Sequence, residues 1–298
     1  MRPYAAALPT LAYIALTLVL MLVWRDGMEA WRQMLWWRAG VVAFIAVAAC
    51  IYRRWPGRWT DILRTFPLIL ALVQWYPELY GFCSQLPYQD HLFARADQWL
   101  CGCQPALRFA AQCPSAFVSE LMCLGYYSYY YLMGAVILAY FLTDYRQAGR
   151  AVFVFLTCFF LFYLLFIFIP VAGPQYYFAA VDPSSPSLPA VQTFAADAPC
   201  IEIDAQGFFG NLVVGAQQLG ERPEAAFPSS HVGMTLVVLR LAWQLPRKHL
   251  FFILLPFAIV LTAATVYIKA HYLVDVLGAF LLTPLIYLLA ARLYRLLP

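Results

Sequence analysis

Long apolar runs, separated by shorter polar segments, repeat along almost the whole chain. A helix needs about 20 residues to cross a hydrocarbon layer roughly 30 Å thick, and helices are expected because lipid offers no partners to exposed backbone groups. The pattern therefore predicts an all-α fold, a polytopic transmembrane helix bundle with eight spans. The predicted spans are Tyr4–Trp24, Met34–Tyr52, Leu63–Phe82, Phe117–Leu142, Ala151–Ile169, His231–Leu245, Leu250–Ile268 and Tyr272–Leu296.

The second and third spans are the least regular of the series. Arg38 shortens the apolar run of the second span, and we expect its charged end to reach the lipid surface along an extended side chain. The third span contains Pro67, Pro77 and Glu78. A bilayer tolerates a short or irregular apolar run at a modest cost, so both segments are kept as spans.

Two long segments, 83–116 and 170–230, interrupt the series of spans on one side of the predicted bundle. Residues 90–100 mix polar and aromatic positions as an amphipathic helix at the membrane interface does. The Pro/Ser-rich stretch 182–189 predicts a loop. A short helix is expected from about Asp204 to Leu219.

Composition agrees with a single membrane domain. Apolar and aromatic residues make up 64% of the chain and charged residues only 11%, far from the balance of a soluble domain. We see no internal repeat and no separate soluble unit. We divide the chain into two N-terminal transmembrane helices, 1–62, and a six-helix membrane core, 63–298, with outward loops 83–116 and 170–230.

Positive charges concentrate on one side of the predicted topology. With eight spans, both termini share a side with the connections 53–62, 143–150 and 246–249. Cytoplasmic ends of membrane helices are enriched in Lys and Arg, so this side is predicted to be cytoplasmic. The formal net charge of +4 then reflects topology, and no basic patch interleaved with aromatic residues indicates nucleic acid. Against Asp61 and Asp144, this side carries Arg2, Arg53, Arg54, Arg58, Arg64, Arg146, Arg150, Arg247, Lys248, Arg292 and Arg295.

Two of the four histidines lie at the outward ends of predicted spans. His231 closes the segment 227–231, and His271 lies four residues before Asp275 at the start of the last span. An ionisable group at the edge of a span is costly and indicates function. Residues four apart share a helix face, so Asp275 is expected to accept a hydrogen bond from one ring nitrogen of His271 and to leave the other free to attack. His231 is expected to act as general acid and base.

The segment before His231 suits an anion. Its Pro-Ser-Ser turn leads into a helix N-terminus, whose free N–H groups can bind a phosphate. Ser229 and Ser230 are therefore candidate phosphate-binding residues, although a serine at this position also caps a helix without any ligand. Lys269 and Arg222 are the basic candidates within reach along the sequence. A lysine extended at a helix end and an arginine on a surface loop are the plain alternatives for these two.

Pro-Ser-Ser-His, followed forty residues later by His-Tyr-x-x-Asp-Val, resembles the second and third signatures of the type 2 phosphatidic acid phosphatase superfamily. The resemblance implies that His271 becomes phosphorylated, that Asp275 supports it and that His231 is the acid. It also implies a six-helix core, here about residues 63–296, and no metal or other cofactor.

The chain departs from the first signature of that superfamily. The Lys and the Arg-Pro of this signature fall on Phe166 and on Gly173-Pro174, and the Arg expected six residues before the nucleophile is Thr265. Gly-Pro in this place, together with the His-Tyr-x-x-Asp-Val motif, resembles the inositol phosphorylceramide synthase and sphingomyelin synthase branch. The stretch from Leu92 to Pro105 resembles the same branch.

Several residues near these motifs are candidates for the substrate pocket. Those beside the altered signature are Gly173, Pro174, Tyr176 and Tyr177. The run Tyr126–Tyr131 could line a headgroup pocket, but tyrosines also belong at the membrane interface. For this run we favour the structural interpretation.

The favoured function is transfer of a phospho-headgroup from a phospholipid or lipid phosphate to a lipid alcohol within the bilayer. A lipid phosphate phosphatase, of phosphatidic acid or isoprenoid phosphate type, is the alternative. Two histidines and a carboxylate could instead hold iron or zinc, although the Pro-Ser-Ser turn has no role in such a site. A proton-coupled transporter that uses His271, Asp275 and Lys269 as a relay is the alternative from another class, and no paired half-sequences support it.

Overall fold

The computed structural model describes residues 5–185, 187–201, 203, 207–220 and 222–297, and within these ranges the regular elements are helices. This confirms the predicted all-α fold. Of the residues named above, Arg2, Tyr4 and Asp204 lie outside the described ranges. The helices are α1 (Ala7–Trp24), α2 (Trp31–Arg54), α3 (Arg58–Leu70), α4 (Leu72–Cys83), α5 (Asp90–Cys101), α6 (Pro105–Gln112), α7 (Ala116–Thr143), α8 (Tyr145–Phe168), α9 (Pro174–Ala180), α10 (Phe208–Gly220), α11 (Ser230–Gln244), α12 (His249–Tyr267) and α13 (Leu273–Leu296).

Six helices of the described ranges are long and apolar enough to cross a membrane, namely α1 with the turn that follows it, α2, α7, α8, α12 and α13. They indicate an integral membrane protein. The predicted span Leu63–Phe82 is instead two helices, α3 and α4, which meet at Ala71. Pro67 lies inside α3 and Pro77 inside α4, and each removes one backbone donor from its helix. The predicted span His231–Leu245 is the 15-residue helix α11, so the number of crossings stays a prediction.

Arg38 on α2 is buried, with 1% of its surface exposed, so the prediction that it extends to the lipid surface is wrong. Its Nη1 lies 2.6 Å from Oε2 of Glu78 on α4, and its Nε donates to the hydroxyl of Thr17 on α1 at 3.2 Å. The guanidinium also lies 5.0 Å from the ring centroid of Trp75. A buried charge is costly unless it is paired. The ion pair therefore ties the two N-terminal helices to the rest of the bundle.

Helix α11 lies among the helices of the core and packs against α7, α8, α12 and α13. Most of its side chains from Val232 to Ala242 are buried. Helices α7 and α12 approach closely at Gly125, where a Cβ would lie 3.0 Å from the backbone carbonyl carbon of Val260. This packing brings the start of α11 together with the start of α13 and with the first half of α7.

The outward segment 83–116 contains α5 and α6, and α5 confirms the helix predicted at residues 90–100. Helix α5 packs against α13 and α9. Its buried face consists of Asp90, Ala94 and Asp97. Its most exposed apolar side chains are Leu92, Trp99 and Leu100. The apolar side chains thus face outward, as expected at a lipid interface, whereas two carboxylates face the bundle.

The second outward segment, 170–230, contains α9 and α10 within its described part. Helix α10 begins at Phe208, where a short helix was expected from about residue 204. The side chain of Glu120 on α7 caps it, accepting from the backbone N–H groups of Phe209 at 3.0 Å and Gly210 at 2.9 Å. The predicted loop at 182–189 has no regular structure in its described residues.

Candidate active site

His271 lies in the turn between α12 and α13, and its ring is buried. Its Nδ1 is 2.8 Å from the carbonyl oxygen of Ala226, and its backbone N–H donates to the carbonyl of Thr265 at 3.1 Å. Because a carbonyl oxygen can only accept, we assign the proton of the neutral ring to Nδ1 and the lone pair to Nε2. The Ala226 carbonyl thus favours this tautomer and sets the direction of Nε2.

His231 is the second residue of α11 and faces His271 directly. Its Nδ1 lies 3.4 Å from Nε2 of His271. The two ring centroids are 5.6 Å apart, with the planes at 65°. The structure therefore brings together the two histidines that the motifs single out. At this separation a nucleophile and a proton donor can serve the same reacting group.

The predicted hydrogen bond between Asp275 and His271 is not formed. Oδ2 of Asp275 lies 3.6 Å from Nδ1 of His271, beyond hydrogen-bond range, and the Ala226 carbonyl takes its place. The reason is that α13 begins at Leu273, so His271 precedes the helix and the i,i+4 geometry does not apply. Oδ2 accepts instead from the backbone N–H of Tyr272 at 2.8 Å. Among the described residues, the buried Oδ1 has no hydrogen-bond partner.

The two serines before His231 occupy different positions in the helix start. Ser229 is the N-cap of α11, and its Oγ accepts from the backbone N–H of Val232 at 3.3 Å. Its own backbone N–H donates to the carbonyl of Asp275 at 3.2 Å, which links the start of α11 to the first turn of α13. Ser230 is the first residue of α11 and is buried. The capping role is thus filled by Ser229.

The basic candidates Lys269 and Arg222 lie in different surroundings. Lys269 is part of the turn that carries His271, with φ of 65°, and its carbonyl accepts from the backbone N–H of Gln175 at 3.0 Å. Arg222 is exposed, and its guanidinium lies 5.8 Å from the ring centroid of Tyr80 on α4. The backbone of Lys269 is thus held beside His271, whereas the guanidinium of Arg222 contacts an aromatic ring on α4.

Gly173 passes close to the turn before His271. Its φ is +98°, and a Cβ at this position would lie 2.7 Å from the carbonyl oxygen of Ala270. Both facts require glycine. Pro174, the first residue of α9, follows it. The backbone here therefore has no space for the arginine that the first signature of the superfamily carries at this position.

Tyr176 and Tyr177, the remaining pocket candidates, are both buried. The hydroxyl of Tyr177 donates to the carbonyl of Pro189 at 2.8 Å. This bond gives Tyr177 a structural role within the outward segment. The contacts of Tyr176 place it in the same apolar cluster.

Two tyrosines of α7 cover the ring of His231. Tyr126 stacks on it with centroids 4.5 Å apart and planes at 26°, and Tyr129 lies at 4.5 Å with planes at 46°. The run Tyr126–Tyr131, for which a structural role is favoured above, is therefore divided, because Tyr130 and Tyr131 are exposed. Aromatic faces hold the imidazole in place.

Asp97 of α5 also reaches the site, and it is not among the predicted site residues. Its Oδ2 and Oδ1 accept from the backbone N–H groups of Leu273 and Val274, both at 2.9 Å. These groups begin α13, directly after the turn that carries His271. The sequence did offer one indication of this role. Helical spacing places Asp97 on the same face of the predicted amphipathic helix as Ala94.

Asp90, seven residues earlier on the same face of α5, was missed as well. Its Oδ2 and Oδ1 accept from the backbone N–H groups of Ala172 at 2.9 Å and Gly173 at 2.8 Å. Oδ1 also accepts from the hydroxyl of Tyr272 at 3.1 Å. Burial raises the pKa of Asp90 to about 7, although these three donors act in the opposite direction.

We expect the wild-type protein to lose thermal stability, relative to Asp90→Asn, as the pH rises from about 4 to 7. The pKa of Asp90 is about 7 in the folded protein, against about 3.9 in an unfolded chain. The folded state binds the extra proton between these values, so the free energy of unfolding falls through this window, by up to about 4 kcal/mol, and levels off above it. Melting curves of both proteins in the same nanodiscs test this. A difference in Tm that stays constant or runs the other way would contradict it.

The signature positions that carry cations in the superfamily hold neutral residues here. Phe166 is buried on α8, and Thr265 is buried on α12, where its hydroxyl donates to the carbonyl of Thr262 at 2.8 Å. Within the described ranges, no group of three or more His, Cys, Asp or Glu side chains is arranged to hold a metal ion.

Comparison with known proteins places these motifs in a family. A family model described as the PAP2 superfamily matches residues 91–289. The match covers well over half of the chain and includes both histidines, Asp275 and helix α5 from its second residue onward. Searches of curated proteins and of solved structures found no match.

Proposed function

The chain belongs to the PAP2 superfamily, and on this basis we propose that it is an integral-membrane phosphoryl-transfer enzyme acting on a phospholipid or lipid phosphate. Membership of the superfamily suggests lipid phosphatase or phosphotransferase chemistry. The finer proposal is a phospho-headgroup transferase resembling inositol phosphorylceramide synthase, with a phosphohistidine at His271. The observation that supports it most is the 3.4 Å separation between Nε2 of His271 and Nδ1 of His231.

In the first proposed step, Nε2 of His271 attacks the phosphorus of the donor lipid. The bond from Nε2 to phosphorus forms while the bond from phosphorus to the lipid-side oxygen breaks, and the proton on Nδ1 of the His231 imidazolium passes to that oxygen. Attack requires an approach of about 3–3.5 Å, and proton transfer requires about 2.6–3.2 Å. Because attack and departure occur on opposite sides of phosphorus, binding of the donor must separate the two rings from their 3.4 Å contact before both distances are met.

The ring of His271 becomes positively charged when Nε2 binds phosphorus. Its Nδ1–H remains bonded to the Ala226 carbonyl at 2.8 Å, and the Asp275 carboxyl group lies 3.6 Å away. A carboxylate at that distance stabilises the cation electrostatically even without a hydrogen bond. This is the supporting role that we assign to Asp275.

In the second proposed step, the neutral His231 takes a proton from the hydroxyl of a lipid alcohol. The hydroxyl oxygen bonds to phosphorus as the bond to Nε2 of His271 breaks, which restores both histidines to their starting states. The proposal uses no metal and no other cofactor. If the donor is a phosphate monoester and water replaces the lipid alcohol in this step, the same residues make the enzyme a lipid phosphate phosphatase, which is the alternative function.

The neutral residues at the signature positions favour a phosphodiester donor. A phosphate monoester carries up to two negative charges and a phosphodiester one, so a monoester needs more fixed positive charge. Phe166 and Thr265 supply none, and at Gly173 the backbone excludes any side chain. A headgroup transferase acts on a phosphodiester, whereas a phosphatase acts on a monoester. This difference is the reason for placing transfer before hydrolysis.

For the phosphate itself we propose the N-terminus of α11, whose partial positive charge attracts anions. Ser229 and Ser230 lie there, and the hydroxyl hydrogen of each can be donated to a phosphate oxygen. Lys269 and Arg222 are the proposed sources of positive charge. The proposed lining of the substrate pocket consists of Gly173, Pro174, Tyr176 and Tyr177.

We propose that the histidine pair faces the non-cytoplasmic side and that both termini are cytoplasmic. Helix α13 begins beside His271 and has Arg295 in its last turn, so the basic end and the site lie at opposite ends of the helix. Arg53 and Arg54 end α2 in the same manner. Lys and Arg mark cytoplasmic helix ends.

Headgroup transfer is expected to exceed phosphate release by at least about tenfold, a difference of about 1.4 kcal/mol in barrier. The measurement uses the full chain in nanodiscs that contain headgroup-labelled phosphatidylinositol with ceramide or diacylglycerol, and in parallel phosphatidic acid. His271→Ala nanodiscs are the blank, and one series includes a chelator. Dominant release of phosphate would establish the phosphatase. Loss of all turnover with the chelator would establish a metal enzyme, and proton-coupled uptake without lipid turnover would establish a transporter.

A further inference from the structure

We propose that helix α5 is a brace for the nucleophilic histidine and that Asp90 and Asp97 are positioning residues for the reaction. The inference rests on the function proposed above. Each carboxylate accepts from two backbone N–H groups. Asp97 holds the residues that follow His271, and Asp90 holds a segment that lies beside the residues preceding His271.

Asp97 fixes the backbone that follows His271. The first residues of a helix have N–H groups without intrahelical partners, and the N-cap of α13 is Tyr272, whose hydroxyl bonds to the other aspartate of α5. Both oxygens of Asp97 supply the missing cap by accepting from Leu273 and Val274 at 2.9 Å. A negative charge is also favoured at a helix N-terminus.

Asp90 fixes a segment that lies against the residues preceding His271. It holds the N–H groups of residues 172 and 173. Two residues further on, the backbone N–H of Gln175 donates to the carbonyl of Lys269 at 3.0 Å. The segment held by Asp90 therefore lies alongside the turn from α12 to α13.

The same segment also positions the acceptor for the His271 ring. The carbonyl of Val171 accepts from the backbone N–H of Ala226 at 2.9 Å, and the carbonyl of Ala226 accepts from Nδ1 of His271 at 2.8 Å. Loss of the Asp90 contacts would displace residues 171–173 and with them the carbonyl that fixes the tautomer. Asp90 thus acts on the reacting ring through two successive backbone contacts.

The burial of both carboxylates argues against a passive role. Asp90 and Asp97 are at most 1% exposed, and burying a charge is costly unless its oxygens are satisfied. Burial raises the pKa of each. A helix that served only as a membrane-surface element would place its charged residues outward. In α5 the four carboxylate oxygens are instead bonded to backbone around one histidine.

The test compares Asp97→Ala with Glu120→Ala, which removes an equivalent cap from α10. With the full chain in nanodiscs, we expect Asp97→Ala to lower kcat by about 10- to 100-fold, because displacement of a catalytic group by about 1 Å costs about that factor. KM is expected to stay within about threefold, since the substrate contacts remain. Asp97→Asn keeps one acceptor oxygen and should give an intermediate kcat. Glu120→Ala should keep kcat within about twofold, because α10 carries neither histidine.

The proposal that α5 is a brace would be overturned by an unchanged kcat in Asp97→Ala. Equal losses of kcat in Asp97→Ala and Glu120→Ala would overturn it as well. If Asp97→Ala does not yield folded protein, the comparison of Asp97→Asn with Glu120→Gln decides the question by the same criteria. His271→Ala in the same series tests the reaction itself. A wild type without turnover, or full turnover in His271→Ala, would refute the proposed function. If the wild type is active and His271→Ala is inactive, the proposed function stands and the kcat of the Asp97 variants alone decides whether α5 is a brace.

Discussion

Replacing His271 with alanine is expected to lower phosphoryl transfer from the lipid donor by at least about 10³-fold, or about 4 kcal/mol in barrier. We assign the lone pair of this ring to Nε2 because Nδ1 lies 2.8 Å from the Ala226 carbonyl oxygen. Alanine removes the nucleophile, and the neighbouring His231 cannot replace it without giving up its role as acid. Single-turnover assays with labelled donor measure the loss directly.

The same experiment has a covalent readout. Wild-type protein quenched during turnover should carry an acid-labile, alkali-stable label on His271, as a phosphoramidate bond does. His249→Ala is the matched control, since His249 is exposed at the start of α12 and belongs to neither candidate site segment. It should keep both the turnover and the label. A His271→Ala protein that still turns over lipid at the wild-type rate, or label on another residue, would remove His271 from the mechanism.

Most of the bundle could be predicted from the lengths of the apolar runs. The predicted span Phe117–Leu142 is helix Ala116–Thr143, and Leu250–Ile268 is helix His249–Tyr267. Such agreement follows because membrane thickness imposes a length that the sequence must meet. Run length does not indicate the interruption at Ala71, where α3 ends and α4 begins.

The histidine pair was predictable because it combines a costly residue type with a fixed spacing. Its detailed geometry was not. The expected hydrogen bond to Asp275 requires His271 to be helical, whereas α13 begins two residues after His271, at Leu273. Helix starts are the least certain part of any prediction from periodicity. The acceptor that replaces Asp275 is the carbonyl of Ala226, a backbone group that no side-chain motif can indicate.

The roles of Asp90 and Asp97 were not predicted, for a different reason. Their partners at Ala172 and Leu273 lie 82 and 176 positions away in the sequence, and periodicity describes only neighbours along a helix. What the sequence does show is that helical spacing places two aspartates on one face of α5. That face is buried, although burying a charged group is unfavourable. Charged residues on the core side of an amphipathic helix indicate that backbone groups nearby need hydrogen-bond partners.

Replacing His231 with alanine is expected to slow transfer from an ordinary phospholipid by about 10²- to 10⁴-fold, the usual contribution of a general acid and base. The loss should be much smaller for release of an acidic phenol from a lipid p-nitrophenyl phosphodiester, because such a leaving group departs without protonation. The second step still needs a base to activate the acceptor. The variant should therefore release one equivalent of p-nitrophenol and then accumulate the phosphohistidine, which a burst assay with a labelled donor measures.

Comparing the two donors in His231→Ala distinguishes the loss of proton transfer from the loss of the other roles of His231. His231 is held between Tyr126 and Tyr129 at 4.5 Å from each ring, so its removal also leaves a space that would disturb binding. Lost binding would lower both reactions equally, whereas lost protonation affects the alkoxide leaving group far more. Tyr126→Phe keeps the stacked ring and serves as the control with intact proton transfer. Equal losses for the two donors in His231→Ala would show that this histidine shapes the site without donating the proton.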